Sequence, residues 1–231
     1  MTDIDMPATP QRHRLPVSMR AIRRRLPLAG CGLPAAVLRD PAVAAWVRAH
    51  GVTVYADDGA ELGLAGRCGV RPAEVVLRCG GTAESIVGAL DLGVSRFLVS
   101  CEQHVAVLTA CARHDTYVHV DDECPAVVGH GCLDVIGLHC QIAARGPQDW
   151  GAAAERLLSR IAALRTDGST LTRISLTGGP MAIWIDGDKA ELKAIAAAVD
   201  EAIDEGCARW RLPRPSVTFA PSVHQTAAGP P

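Results

Sequence analysis

The chain has 231 residues, of which 48% are apolar and 21% are charged, a balance typical of a globular protein that buries a full core. Its net charge is −2 and its basic residues are not interleaved with aromatic ones, which excludes the electrostatic pattern of a nucleic-acid binder. No apolar run approaches the roughly 20 residues that span a bilayer, so we also expect no membrane partner. At this length we expect one folded domain.

The cysteine content indicates a reducing compartment. There are nine cysteines, an odd number, in a chain too large to depend on disulfides, and we expect a cytoplasmic location. The arginines at 23–25 followed by Cys31 resemble a lipoprotein leader, but only Leu26, Pro27 and Leu28 separate the arginines from Ala29. Because a leader needs an apolar stretch of roughly 7–15 residues at this place, we predict no export.

Short strand-like runs alternate with helical runs along most of the chain, the pattern of parallel strands joined by crossover helices. Residues 1–16 and 222–231 are polar and proline-bearing, and we predict that they are disordered around one domain of residues 17–221. The predicted strands are Leu26–Cys31, Val52–Ala56, Glu74–Cys79, Arg96–Ser100, Thr116–Asp121, Leu133–Cys140, Thr172–Thr177 and Ser216–Ala220. The predicted helices are Pro34–Ala49, Gly59–Cys68, Thr82–Leu90, Glu102–Arg113, Gln148–Thr166 and Asp188–Gly206. Eight strands in this alternation predict a closed (β/α)8 barrel of the TIM type.

Three motifs resemble a known family in the same order along the chain. Val135–Ile142 is similar to a family strand that reads Gly-Leu-His-Cys-His-Ile-Gly-Ser, and Ile174–Gly179 stands where the family has a glycine-rich phosphate loop. Leu92–Ser100 resembles the fourth strand and its approach. The family is that of the diaminopimelate and ornithine decarboxylases, pyridoxal phosphate (PLP) enzymes of alanine-racemase-like fold. The resemblance covers Cys31 to Pro221 and implies a PLP-binding barrel, with PLP as the cofactor.

The residues that would carry the chemistry of this family are replaced. Its reactive lysine matches Gly30–Gly32, and the histidine that stacks on the cofactor matches Gln141, because His139 matches the earlier histidine. The Gly-Ser pair at the phosphate matches Ala143–Ala144, and the Glu-Pro-Gly-Arg turn matches Ala220–Val223. Without the lysine no Schiff base with the protein forms, and without the glutamate the pyridine ring is a poorer electron sink. These losses together predict that PLP is not retained.

Only two lysines occur in the chain, and neither fits a Schiff-base role. Lys189 and Lys193 lie on the charged side of the last predicted helix. A Schiff-base lysine must instead be partly desolvated and directed into a pocket. The C-terminal β-domain of the family has no counterpart in the sequence, and we expect it to be absent.

A barrel keeps its binding site at the C-terminal ends of its strands, so residues there remain candidates for ligand binding. The candidates for residual cofactor or ligand binding are His139, Gln141, Arg145, Thr177, Gly178 and Gly179. Further residues expected at this rim are Cys31, Asp57, Asp58, Cys79 and Asp121. The glycine pair could donate backbone N–H groups to an anion next to Arg145, although a plain turn is the simpler interpretation. Asp57 and Asp58 precede a helix, where capping is the simpler interpretation. We assign no catalytic residue.

Histidine and cysteine are dense between His119 and Cys140, and this region also contains Cys124, His130 and Cys132. No pair there has the spacing of a zinc knuckle, so buried structural cysteines are the simpler interpretation and we assign no metal ligand. Cys31 could act as a thiol nucleophile only if a base lay beside it.

Three functions stay open. The first is a decarboxylase homologue that has lost catalysis, a pseudoenzyme that binds a small anionic or amino-acid ligand or a protein partner. The second is an active PLP-dependent decarboxylase or racemase-type enzyme with altered cofactor handling. The third is a metal- or cysteine-dependent enzyme on the same barrel.

Overall fold

The computed structural model describes residues 15–112, 115–124, 133–143, 146–166, 168–185 and 189–222. Eight parallel strands form a closed barrel in which each strand pairs with its neighbours in chain order. The strands are β1 (Gly30–Pro34), β2 (Thr53–Ala56), β3 (Val75–Arg78), β4 (Arg96–Val99), β5 (Tyr117–Asp121), β6 (Asp134–Ile142), β7 (Arg173–Gly178) and β8 (Ser216–Ala220). This confirms the predicted (β/α)8 barrel.

Helices surround the barrel on its outer side. They are α1 (Leu15–Arg23), α2 (Pro41–His50), α3 (Gly59–Arg67), α4 (Ala83–Asp91), α5 (Glu102–Cys111), α6 (Pro147–Thr166), α7 (Met181–Ile185) and α8 (Lys189–Trp210), with short 3-10 turns at Ala35–Arg39 and Pro72–Glu74. The ends follow the sequence: Asp40 caps α2 through the N–H of Ala42, and Gly51 ends it with φ +59°. The sequence analysis missed α1 and α7, and α1 includes two residues of the segment expected to be disordered.

The first strand lies several residues beyond its predicted position. The apolar residues Leu26 and Leu28 suggested a strand, but Leu26 N–H donates to Ile22 O and so extends the last turn of α1. The N–H of Ala29 then closes a turn on Leu26 O. The strand begins only at Gly30, so the prediction of Leu26–Cys31 is wrong for most of its length.

The N-terminal helix completes the outer ring. α1 packs against α8, the long helix that precedes β8. Asp200 of α8, which is almost buried, joins the two ends of the domain: its carboxylate lies 2.7 Å from Arg25 Nε and also pairs with Arg214. No described helix is long and apolar enough to cross a membrane.

Each strand has one face toward the helices and one toward the barrel interior. The outward face contributes most of the apolar core, whereas a separate small cluster of Tyr55, Val76, Leu98 and Ala220 lies on the other face. Tyr55 Oη lies 3.2 Å from Ser175 Oγ, although β2 and β7 are not neighbours in the sheet. This contact can only cross the interior, so Tyr55 and Ser175 point inward, and the strand register extends this assignment to the neighbouring strands.

Candidate functional site at the barrel mouth

Arg78, the last residue of β3, places a guanidinium group at the C-terminal end of the barrel. Its side chain is 14% exposed, and its guanidinium carbon lies 4.9 Å from the centre of the Tyr55 ring, within cation–π range. Its Nε and Nη2 are buried and have no hydrogen-bond partner. A buried guanidinium with unused donors is costly, so this group is suited to receive an anion.

Asp57 is the nearest carboxylate to Arg78, yet the two do not form a hydrogen bond. Asp57 Oδ1 lies 3.6 Å from Arg78 Nε, which is an ion pair at a distance too long for a hydrogen bond. That oxygen is also buried without a partner. The backbone N–H of Asp57 donates to Glu61, which holds the segment in place. The pair therefore partly neutralises the site and leaves both groups with unused hydrogen-bonding capacity.

Asp58 has the capping role that the sequence favoured. Its carboxylate accepts the N–H of Glu61 at 2.8 Å and begins α3. Asp121, at the end of β5, accepts the N–H of Glu123 at 3.1 Å. Burial raises the pKa of Asp121, and the neighbouring carboxylates of Asp122 and Glu123 add to this effect. Asp121 therefore lies at the rim as predicted.

Tyr55 occupies the part of the interior that faces β1. A side chain added at Gly32 would place its Cβ 2.1 Å from Tyr55 Cε2, so the ring fills the space that a larger residue at this position would need. Gly32 belongs to the stretch that matches the reactive lysine of the resembling family. The Tyr55 ring thus occupies the space that a side chain at Gly32 of β1 would fill.

A hydrogen-bonded group of three side chains lies beside this ring. Ser175 Oγ lies 3.2 Å from Tyr55 Oη and 3.2 Å from His139 Nδ1. His139 is 3% exposed. Burial lowers the pKa of His139 well below its usual value, and the charge of Arg78 lowers it further. His139 is therefore a neutral, hydrogen-bonded residue of the interior.

Gln141 and Thr177 lie one level closer to the mouth, side by side on β6 and β7. Gln141 is exposed, whereas Thr177 is fully buried and its hydroxyl has no hydrogen-bond partner. The strands therefore bring these two candidates together, and the unpaired hydroxyl of Thr177 is a second unused polar group.

The local structure at the end of β7 explains the glycine pair Gly178–Gly179. A Cβ at Gly178 would lie 2.9 Å from Ile142 O, and Gly179 has φ +68°, which favours glycine. The carbonyl of Gly178 accepts from Trp184 Nε1 at 3.2 Å, and that of Gly179 accepts from the N–H of Ser222 at 3.0 Å. This turn ties β7 to α7 and to the exit of β8.

Neither of the two cysteines expected at the rim faces the barrel mouth. Cys31 is the second residue of β1, near the opposite end of the barrel, and it packs in the layer between strands and helices. Cys79 is 2% exposed in the same layer. Burial raises the pKa of each thiol to about 12, which is the reverse of what a thiolate nucleophile needs.

The remaining candidates are either dispersed or outside the described residues. Arg145, His130 and Cys132 lie outside them. Among the residues that the structure describes, no three His, Cys, Asp or Glu side chains converge in a way that could hold a metal ion.

Comparison with solved structures gives clear matches. The barrel matches diaminopimelate decarboxylase from M. jannaschii in complex with L-lysine (TM-score 0.74, 12% identity), covering 90% of this chain and 58% of that one. It matches lysine/ornithine decarboxylase from Vibrio vulnificus complexed with putrescine (TM-score 0.73, 17% identity, 90% and 60% covered). It also matches the arginine decarboxylase of Paramecium bursaria Chlorella virus (TM-score 0.68, 12% identity, 90% and 61% covered). The chain has the barrel fold of these decarboxylases.

The likeness has defined limits. The chain spans about 60% of the length of these three structures. No protein-family model matches the sequence, and no curated protein matches it. At these identities the comparison concerns the fold, and the fold alone does not carry an activity.

The residues of the interior do not fit PLP held through a lysine. Lys189 and Lys193 are exposed on α8, which belongs to the outer ring, and the sequence contains no other lysine. Beside Gly32 the interior is filled by Tyr55. We therefore derive no reaction step through this cofactor.

The sequence analysis missed the two residues that define the interior, Arg78 and Tyr55. It predicted the strand Glu74–Cys79 but named Cys79 as its rim residue, whereas the inward face ends at Arg78. The signal was the single basic residue that follows Val75, Val76 and Leu77. An isolated arginine at the end of an apolar barrel strand indicates a side chain that faces the mouth.

Proposed function

We propose that this barrel is a non-catalytic binding protein whose mouth holds a small ligand that carries a carboxylate or a similar anionic group. The observation that supports this most is Arg78, because its Nε and Nη2 are buried and lack a partner. A ligand oxygen pair would satisfy both donors in the bidentate arrangement that guanidinium groups favour.

The neighbouring groups favour a small polar ligand. Asp57 Oδ1 offers an acceptor for an amino or hydroxyl group, and Thr177 Oγ1 offers a hydroxyl. Gln141 is exposed beside Thr177 and can contact the same ligand. An amino-acid ligand is therefore compatible with the charges at this end of the barrel.

The placement of the reactive groups supports a non-catalytic role. Both lysines are outside the barrel, and the thiols of Cys31 and Cys79 are buried with raised pKa values. A protein partner remains the alternative occupant. The described exposed apolar residues, Leu28, Val87 and Leu92, give that alternative less support.

The test compares Arg78→Met with Arg39→Met, an exposed arginine in the turn that follows β1 at the same end of the barrel. Thermal unfolding is followed with increasing succinate, L-glutamate or L-lysine at constant ionic strength. We expect at least one of these to raise the Tm of the parent and of Arg39→Met. Because a charged hydrogen bond is worth about 1.5–3 kcal/mol, binding to Arg78→Met should be about tenfold weaker or more. Equal ligand dependence in all three proteins would contradict the proposal.

A further inference from the structure

The N-terminal end of the barrel interior carries basic side chains of its own. Arg96 is the first residue of β4 and pairs in register with Val76, which belongs to the interior cluster. Arg173 is the first residue of β7, two residues before the inward-facing Ser175. His119 of β5 pairs with Leu98, another member of the interior cluster. Strand alternation therefore places all three on inward-facing positions, below the Tyr55–Ser175 contact. Arg96 and His119 are partly buried there, whereas Arg173, at the start of its strand, is exposed.

A glycine leaves space between two of these residues. His119 and Arg173 both pair with Gly137 of β6, and the register shifts between Val118 and His119. A Cβ at Gly137 would lie 2.3 Å from Arg173 O and 2.8 Å from Arg173 Cβ. The absent side chain brings β6 close to β7 and leaves no side chain between His119 and Arg173.

The charges in this space are not compensated. Within the described part of the chain, neither Arg96 nor Arg173 forms an ion pair, and Arg96 Nε is buried without a hydrogen-bond partner. The nearby carboxylate of Glu74 is engaged by Arg71. Burial lowers the pKa of Arg96, and the charge of Arg173 lowers it further. Burial, then Arg173 and Arg96, lower the pKa of His119 to about 4. The three groups therefore repel additional positive charge and favour an anion.

An open groove lies beside Arg173. The groove has a volume of about 580 Å³ and is lined by Leu26–Ala29, Thr172, Arg173 and Arg214–Val217. Arg173 belongs both to the groove and to the interior cluster of charges. An anion entering the groove thus meets Arg173 first.

We propose that Arg96, Arg173 and His119 form a binding site for a phosphate oxyanion, separate from the mouth. Two guanidinium groups supply charged donors, and the neutral imidazole supplies one N–H whichever ring nitrogen carries it. The phosphate can be free inorganic phosphate or the phosphate group of a small monoester, since both present the same oxygens. This site does not depend on the function proposed for the mouth.

The test measures thermal unfolding of the full chain with inorganic phosphate, and in parallel with glycerol phosphate, at constant ionic strength. The variants are Arg96→Leu and Arg173→Leu. The matched control is Arg67→Leu, which removes an exposed arginine at the end of α3 that lies at the same end of the barrel. We expect phosphate to raise the Tm of the parent and the control, and to act about tenfold more weakly on either interior variant. In phosphate-free buffer, Arg96→Leu should have a higher Tm than the parent, because it removes an unpaired buried charge.

The outcomes separate the two sites and the two ligand sources. If glycerol phosphate alone raises the Tm and the interior variants abolish the rise, the site binds an ester, which supports the proposal. If Arg96→Leu does not fold, Arg173→Leu decides by the same criterion. A phosphate response that is unchanged in the interior variants but lost in Arg78→Met would place binding at the mouth and overturn the inference. If neither inorganic phosphate nor glycerol phosphate raised the Tm of the parent, the inference would also be overturned.

Discussion

Two levels of the same barrel interior treat buried polar groups in different ways. At the level of Ser175, a hydroxyl joins Tyr55 and His139, and all three groups are neutral. Nearer the N-terminal ends of the strands, Arg96 is partly buried and Arg173 is exposed, and neither forms an ion pair among the described residues. The polar groups of the first level satisfy one another, whereas the second level leaves Arg96 Nε without a hydrogen-bond partner. The same contrast holds between His139, which is hydrogen-bonded to Ser175, and Arg78 at the mouth, whose Nε and Nη2 have no partner.

The largest effect is expected at Gly137, where β6 lies in close contact with the backbone of β7. In Gly137→Ala the new Cβ would meet the carbonyl oxygen of Arg173 at 2.3 Å, and backbone cannot move as a side chain can. We expect the free energy of unfolding to fall by about 3 kcal/mol, measured by urea denaturation. Gly88→Ala on α4 is the matched control: nothing lies within 4 Å of the added atom, so its stability should stay the same or rise by up to about 1 kcal/mol. Equal effects of both changes would show that β6 and β7 are not this close.

The next largest effect is expected at Ser175, which joins Tyr55 and His139 in the hydrogen-bonded level of the interior. Ser175→Ala removes the partner of both Tyr55 Oη and His139 Nδ1 and leaves two polar groups buried. We expect a loss of about 2 kcal/mol in the free energy of unfolding. The control is Ser216→Ala at the start of β8, a partly exposed serine with no side-chain hydrogen bond among the described contacts, for which the change should stay within about 0.5 kcal/mol. A neutral result for Ser175→Ala would mean that this group is not a stabilising network.

The smallest effect is on the pH dependence of stability, which arises because the pKa of His119 differs between the folded and the unfolded protein. His119 has a pKa of about 4 in the folded protein, against about 6.5 when unfolded. The unfolded state therefore binds more protons below pH 6.5, so stability is full above that value and is lost as pH falls toward 4. In His119→Gln, the plot of unfolding free energy against pH should be less steep than in the parent, by about 1 kcal/mol per pH unit between pH 5 and pH 6. An unchanged slope would indicate that His119 is solvated.

The sequence contained most of the fold and little of the site. Strand and helix alternation was visible because each strand is apolar and each crossover helix is amphipathic, which sufficed for the eight strands and the barrel. The start of β1 was misplaced since Leu26 and Leu28 look like strand residues, and only the hydrogen bond from Leu26 to Ile22 assigns them to a helix end. Arg78 and Tyr55 were missed for another reason. Which face of a short apolar strand points inward is decided by contacts across the barrel, such as Tyr55 with Ser175, and these join residues 120 positions apart.

The most direct test of the central claim is to mix the purified protein with PLP, record the absorbance spectrum, and map peptides after borohydride reduction. The placement of Lys189 and Lys193 on the outer helix predicts no saturable absorbance band and no adduct fixed at a single residue. A saturable band that borohydride fixes at one lysine would contradict the account, since it would require a cofactor site that the interior around Tyr55 leaves no room for.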